Sequence, residues 1–193
     1  MLKQTTFVLF LLLASFCSIF SQEGQEMTDE QKVWMEYMTP SWGHEMLSHG
    51  VGDYTYTAKF WMTPDAEPIV SEGKAKGEMI LGGRYLQMHH SGEMWGMPFE
   101  GISLEGYDNA KKEFFSTWID NMGTGLMYAT GNYDAEGKTL TYNGTYCDPM
   151  DEGKDKPFKQ TIHFKEDNTM LLEMYMEVQG TEFKNMEIVF TKK

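Results

Sequence analysis

Arg84 is the sole arginine among 193 residues. It follows Gly82-Gly83, where a backbone without side chains can turn tightly or approach another group closely. A guanidinium is always charged and grips a carboxylate through two parallel hydrogen bonds. Turned into a protein interior, Arg84 would hold an anionic head group. The plainer alternative, which we favour, pairs it with an acidic residue such as Asp120 or Asp108 and fixes strand register, because a buried charge is partnered whatever its role.

Aromatic residues make up 14% of the chain, and there are 17 methionines. Small-molecule pockets are lined mostly by such side chains, with a few polar groups among them. Candidates for a lining are Tyr54, Tyr56, Phe60, Met88, Trp95, Phe115, Trp118, Tyr128, Met174 and Met176, with Arg84 and Asp120 as the polar members. For each of them the alternative is a side chain that simply fills a core. Methionine offers one further chemistry, since thioethers select Cu(I). Met94-x-x-Met97, Met35-x-x-Met38, Met174-x-Met176 and the pair Met88 and His90 are the places to look. The methionines are spread along the chain rather than gathered at one spacing, so we expect no copper.

No other cofactor or metal is called for. His44, His49, His89, His90 and His163 show no zinc spacing, and His89 and His90 would face opposite sides of a strand. Asp148, Asp151, Glu152 and Asp155 do not follow the EF-hand pattern and read as a solvated turn. Cys147 reads as a small, partly buried strand residue with no histidine nearby to activate it. Asn143-Gly144-Thr145 is a glycosylation sequon. There is no GxSxG elbow, P-loop or dinucleotide fingerprint. The net charge of −13 argues against nucleic acid and against anionic membrane surfaces.

The elements that must position these residues are legible from periodicity. Residues 1–21, with Lys3 before an apolar run from Phe7 to Ala14, read as a cleaved secretory signal. The apolar run is too short for a membrane span, and the mature chain has no transmembrane candidate. The protein is therefore expected to be secreted or periplasmic. Lipid attachment at Cys17 is disfavoured by the bulky Phe16 before it. Residues 22–50 form a helical segment. Thr28 and Gln31 make a capping box, and Val33, Trp34, Tyr37 and Met38 form an apolar stripe. Thr39 as N-cap and Pro40 then open a second short helix carrying Trp42, Met46 and Leu47.

Residues 51–193 form one β domain. Tyr54 to Met62 alternates with period two, and about nine further strands follow: 69–81, 84–90, 98–107, 113–120, 126–133, 139–146, 158–164, 170–178 and 183–190. Short Asp, Asn and Gly links make neighbours antiparallel. Ten meandering strands remove their edges by curling into an up-and-down barrel, with a two-sheet sandwich as the alternative. A mouth of that barrel would give the helical segment an apolar surface.

The chain resembles the DUF1579 family of uncharacterised bacterial proteins. The resemblance runs over Trp61-x-x-Pro64, Leu81-Gly82-Gly83-Arg84-Tyr85-Leu86, Gly96-x-Pro98-Phe99-x-Gly101, Gly106-Tyr107-Asp108, Thr117-Trp118-Ile119-Asp120 and Gly137-x-x-Leu140-Thr141. It implies a lipocalin-like barrel and carries over no activity or catalytic residue. The expected function is a binding protein for a small apolar or amphipathic ligand, with a small apolar or anionic molecule as the expected partner. The alternatives are a hydrolase or isomerase using Arg84 with an acidic partner such as Asp120, and a filled-core interaction module. Oligomeric state is not set by the sequence.

Overall fold

The computed structural model describes residues 26–165, 168–178 and 180–193. The expected signal segment and Cys17 lie outside the described residues. The chain divides into two units between Glu36 and Tyr37. The described part of the first carries the opening turns of helix α1 (Asp29–Met38). The capping box is formed: Thr28 N–H donates to Gln31 Oε1 at 2.8 Å, and Gln31 N–H donates back to Thr28 Oγ1 at 3.2 Å.

The second unit holds helix α2 (Trp42–Ser48) and ten strands: β1 (Gly52–Phe60), β2 (Ile69–Ile80), β3 (Tyr85–Met94), β4 (Met97–Asp108), β5 (Glu113–Asp120), β6 (Met127–Asp134), β7 (Thr139–Asp148), β8 (Lys154–Phe164), β9 (Thr169–Val178) and β10 (Thr181–Lys192). Every sequential pair is antiparallel. Pairing of β1 with β10, Tyr56 opposite Phe190, closes the barrel. The sandwich alternative is excluded by that closure. Strands β4, β5, β6 and β7 each end on an aspartate: Asp108, Asp120, Asp134 and Asp148. Each of these side chains accepts from the N–H two residues on, at 2.8, 2.9, 3.0 and 2.8 Å respectively. The carboxylate closes a turn that the backbone would otherwise have to close itself, which is why these strands stop where they do. Strand β1 ends at Phe60 rather than Met62, which is exposed.

Helix α2 closes one end of the barrel. Its N-cap is Ser41, not Thr39, and the Ser41 N–H donates to His44 Nδ1 at 2.9 Å. Thr39 is engaged elsewhere: its carbonyl accepts from Asn109 Nδ2 at 2.7 Å, while Asn109 Oδ1 accepts from Ser41 Oγ at 2.6 Å. The β4–β5 hairpin thus ties down the start of α2. Gly43 lets the helix lie flat on Tyr107, since a Cβ there would sit 2.3 Å from the ring. The largest fully buried side chains, Tyr54, Tyr142, Phe114, Leu47 and Leu140, all gather at this end. Together they make a floor beneath the helix, and the cavity wall starts at Leu47 and Leu86.

Candidate functional site: the barrel interior

Beyond that packed floor the interior holds a cavity of about 320 Å³. Leu47 forms part of its floor, and every strand contributes to its wall. The inward phase of each strand follows from the register. On β4 it is Phe99, Gly101, Ser103, Glu105 and Tyr107; on β5 it is Phe114, Ser116, Trp118 and Asp120. The wall is mainly Met and aromatic. Met88, Met94, Met174 and Met176 line it together with Tyr56, Phe60, Trp118 and Phe190.

Few polar groups interrupt this surface. Glu105 is buried, and burial pushes its carboxyl from the ordinary 4.5 up to about 7, partly offset by the hydroxyl of Tyr142, which donates to Oε2 at 3.2 Å. Tyr142 stands on β7, three strands away. Its ring can cross because Ser116, Ala129 and Gly144, paired in sequence across β5, β6 and β7, are small. His90 is enclosed by rings: Trp118 at 5.1 Å, Phe190 at 5.8 Å and Tyr56 at 6.1 Å. Burial lowers its pKa from 6.5 to about 4, with the neighbouring His89 adding a smaller effect, so the imidazole is neutral. Asp120 accepts from Trp118 Nε1 at 2.6 Å and from the Met122 N–H at 2.9 Å, holding Trp118 stacked on Phe99. Near the start of β10 a bulge between Lys184 and Met186 inserts one extra residue and brings Asn185 into the wall. Its buried Oδ1 has no hydrogen-bond partner.

Of the residues marked from the sequence, Tyr56, Phe60, Met88, Trp118, Asp120, Met174 and Met176 line the cavity together. Four do not. Tyr54 lies in the packed floor, donating to the His49 carbonyl at 3.3 Å. Trp95 is exposed in the two-residue β3–β4 turn, where Trp95 and Gly96 both take positive φ (54° and 78°). Tyr128 and Phe115 stand on the outward phase of β6 and β5. Arg84 sits in the β2–β3 turn at the closed end. Its guanidinium donates to the carbonyls of Leu81 at 3.1 Å and Met38 at 2.5 Å, so it completes the C-terminus of α1. It pairs with neither expected aspartate, because Asp108 and Asp120 are both committed to turns. Cys147 is exposed, not partly buried: it falls on the outward phase of β7, beside the inward Tyr146. The residues weighed as copper ligands are divided. Met88, His90, Met94, Met174 and Met176 face inward, whereas Met35, Met38 and Met97 are exposed.

The profile of a family described as protein of unknown function (DUF1579) matches residues 39–192. The chain belongs to the DUF1579 family. This DUF1579 barrel is also similar to the crystal structure of Rv2717c from M. tuberculosis. The likeness has a TM-score of 0.58 and 11% identity, spanning 80% of this chain and 99% of the other. At that identity it speaks for the fold alone. Comparison with curated proteins finds no match. No helix among the described residues is long and apolar enough to cross a membrane.

Proposed function

We propose that this DUF1579 protein is a binding protein that carries one small apolar or amphipathic molecule inside its barrel, outside the cytoplasm. The observation behind this reading is the interior itself: a cavity of about 320 Å³, walled by Met and aromatic side chains, with a handful of polar groups at fixed places. That is the make-up of small-ligand pockets in general. A filled interaction module would have no reason to keep such a space, because voids weaken a core. The apolar leader read from the sequence supports a destination beyond the cytoplasm.

A second reading, acid–base chemistry on the bound molecule, has the raised pKa of Glu105 in its favour. The pair it was expected to use, Arg84 with Asp120, is not assembled, so holding a molecule is the reading we adopt. A pure hydrocarbon probe tests it without presuming a head group. Titration with 1,6-diphenylhexatriene should give a saturable rise in emission at one probe per chain, with micromolar affinity. Emission that rises without saturating, or not at all, would overturn the proposal.

A further inference from the structure

We propose that the occupant is a hydrophobic amine, an apolar body with one protonated nitrogen, whose ammonium sits on Glu105 between Ser103 and Ser116. The inference rests on the reading that the cavity binds a small molecule, and it names which kind.

The first ground is the charge of the lining. Among the described residues two carboxyl groups, Glu105 and Asp120, face the cavity, and no lysine or arginine lines it. An acidic ligand would bring a further negative charge beside Glu105 into a low-dielectric space with no cation to offset it. The net charge of −13 favours the approach of cations in the same sense.

The second ground is the arrangement around Glu105. Asp120 already accepts on both of its oxygens, whereas the contact made by Glu105 is from Tyr142 to Oε2, which leaves Oε1 available. Ser116 is the cross-strand partner of Glu105, and Ser103 lies two residues along on the same inward face of β4. All three line the cavity. One carboxylate oxygen and two hydroxyls are three acceptors, and an ammonium is three donors with no acceptor of its own.

The third ground is what competes for the site. Among the described residues the titratable groups around Glu105 are Tyr142 from β7, which donates to it, and the cavity-lining Tyr146 from β7, Tyr56 from β1, His90 from β3 and Asp120 from β5. Burial keeps His90 neutral and the phenols of Tyr56, Tyr142 and Tyr146 protonated. The proton on Glu105, held up to about pH 7, is therefore the amine's main rival. An amine must displace it, so its affinity should climb about tenfold per pH unit up to 7 and then level off. A neutral alcohol accepting a hydrogen bond from the protonated carboxyl should show the opposite trend.

Isothermal titration of the purified protein with nonylamine, nonanol and nonanoic acid at pH 6, 7 and 8 separates these cases. At pH 8 nonylamine should bind at least tenfold tighter than nonanol, and nonanoic acid weakest of all. The amine-to-alcohol ratio should fall about tenfold or more between pH 8 and 6. In the Glu105→Gln protein the ratio should drop to within about twofold of one and lose its pH dependence. Nonanol or nonanoic acid binding as tightly as nonylamine in the wild type, at a ratio indifferent to pH, overturns the amine. It does so while leaving the cavity reading intact, provided that diphenylhexatriene is still taken up. If neither the three nonyl probes nor diphenylhexatriene enters, both proposals fall.

Discussion

At pH 8 the Glu105→Gln protein should unfold roughly 6–12 °C above the wild type, whereas at pH 5 the two should differ by little. Glu105 is an acid whose folded pKa is raised, from 4.5 to about 7, chiefly because burial penalises the carboxylate. In the unfolded chain it releases its proton near 4.5. The folded protein therefore binds more protons between pH 4.5 and 7, and stability falls as pH rises across that window. The full loss, at about 1.4 kcal/mol per pH unit, is roughly 3 kcal/mol above pH 7. Glutamine has the same shape and can still accept from Tyr142, but it never ionises. His90 works in the other direction. Its folded pKa is lowered from 6.5 to about 4, so the stability it contributes is present above 6.5 and is lost as pH falls towards 4. In the wild type the two slopes oppose one another between pH 4.5 and 6.5. Glu105→Gln should uncover the His90 slope alone. Circular dichroism melts from pH 5 to 8 measure all of this. A Glu105→Gln protein less stable than the wild type at pH 8 would show that the carboxylate is not held in an apolar interior.

Ala58→Trp should cut hydrocarbon uptake by at least about thirtyfold and leave the urea midpoint unchanged or higher. Ala58 is 1% exposed, points inward on β1 between Tyr56 and Phe60, and lies opposite Ile188 of β10. In a filled core the added indole would overpack its neighbours and cost about 1–3 kcal/mol. In a cavity of about 320 Å³ it has somewhere to go. Leu172→Trp, on β9 and paired with the same Ile188 from its other side, should act in the same way. Both urea titration and diphenylhexatriene uptake are needed, because loss of uptake together with a fall in stability would mean a disrupted fold rather than a filled chamber.

The barrel was readable because strand ends carry their own chemistry. Asp108, Asp120, Asp134 and Asp148 punctuate the sequence, and each closes a turn. The interior was harder to read because several strands carry apolar residues in both phases. On β4, Phe99 and Tyr107 point inward while Ile102 and Leu104 point outward, so pattern alone does not reveal that Glu105 shares the inner phase. On β6 the outward Tyr128 is more conspicuous than the inward Ala129. The signal for Tyr142 was the row of small residues that makes room for it, which requires the register between four strands. Asn185 depends on a bulge, and an inserted residue leaves no mark on a period-two pattern. Arg84 was conspicuous as a lone arginine, but a turn after two glycines put it on main-chain carbonyls at the closed end.

Trp118 offers a direct view of whether a molecule enters the barrel, since its ring forms part of the cavity wall. Bromine quenches indole fluorescence only in close contact, so titration with 1-bromononane should quench a saturable fraction of the emission. That fraction should vanish in the Trp118→Phe protein, which keeps the other four tryptophans of the five. Quenching that is absent, or equally strong without Trp118, would contradict a ligand chamber inside this barrel.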